Sequence, residues 1–291
     1  MYKIYFRQAI QMLRQNSFMS TISILGTAVA IMMIMAIIVS EEIKSVNVAP
    51  ESNRSLTLYL SSQGLRDSTQ GRTINGGLPY ETIHEYIPRL RQPVKKAIVS
   101  EVDREQKLAV VNTEGSREFV NAHHRLTNAD YWEVFEFNFI EGKPYNENEV
   151  LSGVTYAVIS EDLSRRLFHG ETTIGQNIEI NFRIHKIVGI VKDVQPLFSH
   201  AYGEVWVPYT SNNEYKTGGY EALLLAEKEE DFPEIIAEVR ECERQYGAEK
   251  TPWQLFLKGP WNRRIYNMQP HRNVGYSPAE IEASIKGNNR K

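Results

Sequence analysis

One long apolar stretch constrains this sequence more than any other feature. Residues 19–39 read MSTISILGTAVAIMMIMAIIV, and no charged residue occurs between Arg14 and Glu41. About 20 apolar residues, rising 1.5 Å each, suffice to cross a hydrocarbon core of roughly 30 Å. Lipid offers no water to the backbone, so a segment of this kind must be helical. The sequence therefore predicts a transmembrane helix over residues 19–40, with most of the polar residues after it.

The charges on either side of this stretch predict its direction. Lys3, Arg7 and Arg14 precede it without any acidic residue, and Glu41 and Glu42 follow it. Lys and Arg within about 15–20 residues of a span bias that end toward the cytoplasm. We therefore expect a cytoplasmic N-terminus, with residues 41–291 on the other side of the membrane. A cleaved signal peptide is the rival interpretation, but its apolar core is normally about 7–15 residues, and this run is longer.

Two patterns concern the anchor itself. Residues 1–18 predict an amphipathic helix at the cytoplasmic interface, because its apolar residues recur at helical spacing and its basic residues lie off that face. The alternative is a set of basic flanking residues without fixed structure. Within the span, Ser23, Gly26 and Ala30 are small residues at helical spacing, which lets membrane helices approach closely. This predicts partner helices, although Gly and Ala are common in any membrane helix.

The part of the chain after the anchor predicts an α+β fold. Strand-like and helix-like segments alternate irregularly, and several hairpin signals occur, which indicates a mixed α/β domain over residues 41–258. Residues 99–154 are mostly strand and loop, so they are a candidate for an inserted β-rich subdomain. Residues 63–77 carry four glycines and predict an exposed loop. Residues 259–291 predict a polar tail.

Composition and motifs argue against several kinds of function. The formal net charge is -3, so the chain has no broad basic field for nucleic acid. The sequence contains no G-x-x-x-x-G-K-[ST], no G-x-S-x-G, no S-x-x-K and no H-E-x-x-H. We therefore predict no enzymatic activity and no catalytic, cofactor-binding or metal-binding residue.

Three groups of residues are candidate sites in the sequence. His123 and His124 are adjacent, so on a strand they point to opposite faces and cannot easily share a metal; surface or loop histidines are expected. Cys242, the only cysteine, shares a predicted helix face with apolar residues, which indicates a buried thiol. Arg165 and Arg166 lie on a predicted helix and either face solvent or contact anionic lipid or a partner.

Three blocks of sequence carry a family resemblance. The first block is Asp130–Phe137 with the following Glu141–Pro144, the second is Ala157–Phe168 with Ile174–Gln176, and the third is Ile187–Val194. Together they resemble the periplasmic core domain of MacB-type ABC transporter permeases, in the FtsX-like permease group. The leader from Phe6 through Gly26 is also similar to the first membrane segment of that family.

The resemblance implies a function without chemistry of its own. It implies a non-catalytic permease subunit of an export or efflux system for lipoproteins, peptides or antimicrobials. ATP would be hydrolysed by a separate ABC ATPase subunit, and the permease would be a homodimer or a heterodimer with another permease. Members of this family carry three more membrane helices after the outer domain, so we expect this chain to be truncated. The alternative function is a membrane-anchored extracytoplasmic binding or sensing domain, and an anchored hydrolase is a third.

Overall fold

The computed structural model describes residues 2–43, 46–100, 104–111, 117–169 and 172–268, and these divide into two compact units, Met1–Ser45 and Val46–Lys291. The first unit contains helix α1 (Tyr2–Gln15) and helix α2 (Ser17–Ile43). Within the described part of the chain, α2 is the one helix that is long and apolar enough to cross a membrane, over Ser17–Ser40. The predicted transmembrane segment therefore lies inside this helix.

The second unit combines strands with short helices. Its strands are β1 (Thr57–Leu60), β2 (Ser62–Asp67), β3 (Thr73–Gly76), β4 (Lys95–Ser100), β5 (Arg104–Val111), β6 (Arg117–Thr127), β7 (Phe139–Gly142), β8 (Tyr156–Ser160), β9 (Asn177–Ile180), β10 (Arg183–Val191), β11 (Val205–Pro208), β12 (Tyr220–Leu225) and β13 (Trp253–Lys258). Its α-helices are α3 (Tyr131–Val134), α4 (Glu147–Leu151), α5 (Glu161–Phe168), α6 (Phe232–Glu249) and α7 (Arg263–Met268). Thr82–Tyr86 form a π-helical turn, and Ile87–Arg89 form a 3-10 turn directly after it.

Among the described residues, the strands form two sheets. The larger sheet runs in the order β1-β12-β4-β6-β11-β8-β10-β9-β5, with β7 attached to β10. Because β5 also pairs with β6, the six strands from β6 to β5 close into a ring. Within this sheet β8–β10 and β6–β11 are parallel and the other pairs are antiparallel. The predicted α+β class with mixed sheets is therefore confirmed.

Alternation along the strands decides which side chains reach the core. In β10, His185 and Ile187 are buried, whereas Ile184 and Lys186 are exposed, as expected for side chains that alternate between faces. The loop between β9 and β10 consists of Asn181 and Phe182, with φ angles of 48° and 61°. Left-handed conformations at both loop positions match the twist of the flanking strands in a type I′ hairpin.

Two glycines allow β7 and β10 to pair. Gly142 faces Gly189, and Gly142 has a φ angle of 72°. A Cβ atom at Gly189 would lie 2.9 Å from both the Lys143 carbonyl oxygen and Phe139 Cε1. The absence of a side chain at Gly189 therefore relieves crowding where β7 and β10 pair.

Local helix signals in the sequence are confirmed in part. The Ser160 hydroxyl accepts a hydrogen bond from the Leu163 backbone N–H at 3.2 Å, so Ser160 caps α5, as serine often does at the start of a helix. Cys242 lies on the buried face of α6, and burial raises its pKa to about 11. Asp231 directly precedes α6, but its carboxylate accepts a hydrogen bond from the Lys228 N–H and none from the first turn of α6.

The predicted loop over residues 63–77 is wrong. This stretch contains β2 and β3, which pair in register from Gln63–Gly76 to Arg66–Thr73, and β13 pairs with the other edge of β2. Gly71, with a φ angle of 67°, lies in the turn between them. The glycines therefore belong to a β-hairpin and not to an exposed loop. The strand that pairs with the other edge of β2, β13, lies far away in the sequence.

The predicted polar tail begins too early. Residues 259–268 pack on the domain: Trp261 forms a β-bridge with Tyr59, and α7 follows it. Trp261 and Arg263 are both buried. Residues 269–291 lie outside the described part of the chain.

The predicted β-rich insert contributes to the common sheet. Residues 99–154 supply β5, β6 and β7, and β6 pairs with β4 on one side and β11 on the other. The turn between β5 and β6 lies outside the described residues. The domain boundaries proposed from the sequence stay a prediction.

Candidate functional site

A cluster of buried polar side chains is the most unusual feature of the second unit. Charged residues are almost never fully buried unless they are paired. We call this group the Glu51 cluster, and its members are Glu51, Arg54, His200, Glu221, Arg263 and Tyr266. Glu51 and Arg54 are each only 1% exposed.

Glu51 lies at the centre of the cluster and its carboxylate accepts from several donors. Its Oε2 atom is 2.7 Å from Arg54 Nε and 3.7 Å from Arg263 Nη2. Its Oε1 atom accepts hydrogen bonds from the backbone N–H groups of His200 at 3.1 Å and Ala201 at 3.2 Å. Both carboxylate oxygens are therefore satisfied, as a buried charge requires.

The imidazole of His200 joins the two halves of the cluster. Arg263 Nη1 lies 3.1 Å from His200 Nδ1, and an arginine can only donate, so Nδ1 is the acceptor. Nε2 then carries the hydrogen and donates to Glu221 Oε2 at 3.1 Å. The Tyr266 hydroxyl also donates to Glu221 Oε2, again at 3.1 Å. A continuous chain of polar contacts thus runs from Glu51 through its ion pair with Arg263, and then through hydrogen bonds of His200, to Glu221.

Electrostatics favour the charged form of Glu51. Burial alone raises the pKa of this carboxyl, but His200, Arg263 and Arg54 together outweigh burial, and the pKa lies below its ordinary value. Nearby Tyr59 lies under the Arg263 guanidinium, and burial raises its pKa to about 12. Glu51 is therefore held as a carboxylate among cations and aromatic rings.

The Glu51 cluster connects segments of the second unit that are distant in sequence. Arg54 Nη1 donates to the Val46 carbonyl at 3.0 Å, and Val46 is the first described residue after the apolar helix. Arg263 belongs to α7, which follows the last strand, and Glu221 belongs to β12 in the sheet. The first and last described segments of this unit are thus fixed to each other and to the sheet by buried polar contacts.

Further contacts hold the first segment in place. The Glu136 N–H donates to the Pro50 carbonyl at 2.8 Å, and Ser52 Oγ donates to Glu136 Oε2 at 2.7 Å. Asn53 Nδ2 donates to the Val134 carbonyl at 3.0 Å. The chain that follows the apolar helix is therefore docked on the domain from its first described turn.

No local pattern in the sequence predicts this cluster. Glu51 and Arg54 stand in a short polar segment, His200 stands in a loop, and Arg263 was placed in the predicted tail. Only their meeting in space marks them, with five members buried and Tyr266 partly buried.

The residues predicted to serve anchoring and packing lie in the first unit. Lys3, Arg7 and Arg14 are in α1, and the side chains of Arg7 and Arg14 are exposed. Ser23, Gly26 and Ala30 are on α2 and are exposed as well. A Cβ atom at Gly26 would meet nothing within 4 Å among the described residues. Their roles in anchoring and helix packing stay a prediction.

The structure corrects the prediction for the histidine pair. His124 is buried on the inner face of β6, and burial lowers its pKa to about 3. His185 lies on the inner face of β10, where burial lowers its pKa to about 4. His124 was expected at the surface because the sequence does not show which face of β6 the ring of strands covers. Within the described part of the chain, no group of three or more His, Cys, Asp or Glu residues is arranged to hold a metal.

The arginine pair lies on the exposed side of α5 and is neutralised within the chain. Arg165 Nη1 is 3.1 Å from Glu161 Oε1, and Arg166 Nε is 2.8 Å from Asp162 Oδ2. Arg166 also pairs with Glu204. These ion pairs agree with the solvated helix face that the sequence predicts.

The comparisons with known proteins decide the family. The family model for the MacB-like periplasmic core domain matches residues 20–241. The chain belongs to the MacB-like periplasmic core domain family. The match begins inside the apolar helix and continues through most of α6.

Individual relatives of this MacB-like chain cover shorter segments. An uncharacterized ABC transporter permease of Bacillus subtilis (strain 168), YknZ, is 28% identical over 82 residues, which is 28% of this chain and 21% of YknZ. The macrolide export ATP-binding/permease protein MacB of Escherichia coli (strain K12) is 26% identical over 84 residues, 28% of this chain and 13% of that protein. The matched segment is thus less than a quarter of either relative.

A solved structure supports the same fold. The periplasmic region of MacB from Actinobacillus actinomycetemcomitans superposes with a TM-score of 0.51 at 12% identity, covering 75% of this chain and 95% of that one. At this identity the likeness concerns the fold alone. It agrees with a MacB-like α+β fold for the second unit.

The blocks that carry the MacB-like resemblance are scaffold in this structure. Asp130 Oδ2 accepts from the Lys96 N–H at 2.9 Å, which joins α3 to β4. Ser160 caps α5, and Gly175 turns the chain with a φ angle of 88°. Gly189 allows β7 to approach β10. These residues build the domain, and each has a structural contact that accounts for its type.

Proposed function

We propose that this chain is the extracytoplasmic, non-catalytic part of an ABC transporter permease that exports its substrate by mechanical coupling. The observation that carries the proposal is the family match over residues 20–241, which joins the apolar helix to the MacB-like domain. The relative YknZ is described as an ABC transporter permease, whose name includes no ATP-binding part, and this supports a separate ATPase subunit as partner. The relative MacB is described as an ATP-binding/permease protein, which supports an association with ATP hydrolysis. Lipoproteins, peptides and antimicrobials are the proposed substrate classes.

The charge pattern supports the proposed orientation. Lys3, Arg7 and Arg14 precede the apolar helix, so we place the N-terminus in the cytoplasm and the domain in the periplasm. The exposed small residues Ser23 and Gly26 of α2 support a packing face for a second permease, which would make the assembly a homodimer or heterodimer.

The Glu51 cluster gives the proposed coupling a physical basis. A domain can follow the movement of a helix only if the segment between them is stiff. The first segment of the domain is held by Arg54, which donates to the Val46 carbonyl, and by Glu51, which pairs with Arg54 and Arg263. We propose that this cluster transmits movement between the membrane part and the sheet.

The test has a biochemical arm and a topological arm. Full-length protein extracted in detergent from its source cells should co-purify with an ABC ATPase and, once separated from it, should hydrolyse no ATP. For topology, Cys242→Ser removes the buried thiol, and Ser68→Cys or Gln8→Cys adds one exposed thiol. A membrane-impermeant maleimide should label Ser68→Cys from the periplasm and should label Gln8→Cys only after lysis. ATP hydrolysis by the chain alone, or labelling of Gln8→Cys from the periplasm, would refute the proposal.

A membrane-anchored binding or sensing domain is the second candidate, and one observation favours it. An open groove of about 540 Å³ lies beside β10 and is lined by Lys143, Lys186 and apolar side chains. A sensor without a transport role would bind its ligand there in the absence of any ATPase. Failure to recover an ATPase, together with ligand binding in the groove, would favour this candidate.

A further inference from the structure

A groove on the outer face of β10 has the chemistry of a binding site. Its walls are the turn at residues 142–144, the turn at residues 174–175 and the outward face of β10, and it encloses about 540 Å³. We call it the Lys143 groove. It is separate from the Glu51 cluster, because the two sets of residues have no member in common.

The backbone makes the Lys143 groove a preformed feature. The Gly175 N–H donates to the Ile187 carbonyl at 2.9 Å, and the Lys143 N–H donates to the Val188 carbonyl at 3.1 Å. On the same strand, the Lys186 N–H donates to the Thr155 carbonyl at 2.8 Å. The parallel pairing of β8 and β10 shifts register between Ile187 and Gly189, which adds a residue to β10 at the floor. A site built on paired strands loses little conformational freedom when a ligand binds.

The lining combines two unpaired cations with an apolar floor. Lys143 and Lys186 are both exposed, and neither ammonium has an ion-pair or hydrogen-bond partner among the described residues. The Lys186 stem passes over Gly175, where a Cβ atom would be 3.9 Å from Lys186 Cε. The side chains of Ile174 and Val188 and the ring of Tyr156, all partly exposed, supply apolar surface between the two lysines.

One acidic residue, Glu149, also lines the groove. Its Oε2 atom accepts a hydrogen bond from the Asn146 N–H at 2.7 Å in the capping box of α4, so this oxygen is already committed. The positive charges of Lys143 and Lys186 exceed the single negative charge of Glu149, so the lining has a net charge of about +1. A ligand with an anionic head would therefore be drawn to the lysines and kept away from Glu149.

We propose that the Lys143 groove binds a single-chain amphiphile with an anionic head group. The head would pair with Lys143 and Lys186, and the alkyl chain would cover Ile174, Val188 and the ring of Tyr156. A bare anion lacks the apolar contact, and a neutral or cationic amphiphile lacks the ion pairs, so neither fits as well. The binding does not depend on the proposed transport function.

The test uses the full chain in phosphatidylcholine nanodiscs with methyl-labelled Ile and Val, titrated with decanoate. Methyl signals of Ile174 and Val188 should shift saturably, whereas acetate and decyltrimethylammonium at equal concentration should leave them unchanged. These signals report on the groove itself, so partition of decanoate into the lipid does not mimic binding. Signals of buried Ile159 and Val205 check that the fold is intact.

Charge variants identify the head-group contacts. Because each exposed ion pair contributes up to about 1 kcal/mol, Lys143→Gln with Lys186→Gln should weaken decanoate binding about tenfold. The matched control Lys192→Gln removes an exposed lysine outside the groove and should leave binding within about twofold. If the double variant disturbs Ile159 or Val205, the pair Lys143→Arg and Lys186→Arg replaces it and should retain binding. Absence of saturable shifts, equal response to the cationic amphiphile, unchanged binding by the double Gln variant or lost binding by the Arg pair would overturn the proposal.

Discussion

Replacement of Glu51 by Gln tests whether the buried cluster fixes the first segment of the domain. The substitution keeps the size of the side chain and removes its charge. Arg54 would then be left without its 2.7 Å carboxylate partner, and Arg263 would lose the same counter-charge. Removal of one member of a buried ion pair costs about 3–5 kcal/mol, because the remaining charge is buried without compensation.

This loss is large compared with the stability of a domain. Free energies of unfolding are about 5–15 kcal/mol, so Glu51→Gln should remove a substantial share. With an m value of about 3 kcal/mol per M, the urea midpoint should fall by about 1–2 M. The measurement is urea unfolding of the full chain in detergent, followed by tryptophan fluorescence. All four tryptophans lie between Trp132 and Trp261, so the signal reports on the second unit alone.

A matched control separates burial from charge. Glu249 also pairs with an arginine at 2.7 Å, but Glu249 and its partner Arg89 are 45% and 43% exposed. Glu249→Gln keeps an acceptor for the Tyr86 hydroxyl and should shift the midpoint far less, because exposed ion pairs are screened by water. The reasoning is refuted if Glu51→Gln lowers the midpoint no more than Glu249→Gln does. The double variant Glu51→Gln, Arg54→Gln should recover part of the loss, because it removes the uncompensated charge.

Three further predictions concern pH, packing and a turn. Burial lowers the pKa of His185 to about 4 in the folded state, whereas the same imidazole has a pKa near 6.5 in the unfolded chain. The free energy of unfolding should therefore be highest above pH 6.5. It should fall by about 3 kcal/mol as the pH drops toward 4, because only the unfolded chain then binds the proton. Urea midpoints at pH 7.5, 6 and 5 that stay constant would contradict this. Gly189→Ala should lower the free energy of unfolding by about 1–3 kcal/mol in the same urea assay, because the new methyl group clashes with β7. The control is Gly76→Ala, whose methyl group would meet nothing within 4 Å among the described residues. This control should change the free energy of unfolding little. Phe182→Gly should raise the free energy of unfolding by about 1 kcal/mol in the same assay. Phe182 is 94% exposed, and its left-handed φ angle costs glycine less than it costs phenylalanine. A lower free energy of unfolding would show instead that the phenyl ring makes a stabilising contact.

Features with a local cause were predictable from the sequence. The apolar helix α2 follows from a run without charges, because lipid demands it. Ser160 caps α5, and the β9–β10 hairpin turns at Asn181, because these signals act over a few residues. The buried face of α6 with Cys242 follows from helical spacing. The three blocks of family resemblance point to the same fold that the family match shows.

Features that depend on distant partners were decided by the tertiary structure. Residues 63–77 form a hairpin because β13, far along the chain, pairs with β2. His124 is buried because the ring of strands covers one face of β6, and nothing in its local sequence specifies which face that is. Glu51 and Arg263 are about two hundred positions apart, and only the folded domain brings their charges together. The sequence by itself therefore determined the apolar helix and the family, whereas the buried cluster and the Lys143 groove exist only through contacts between distant segments, whose pairing local sequence does not encode.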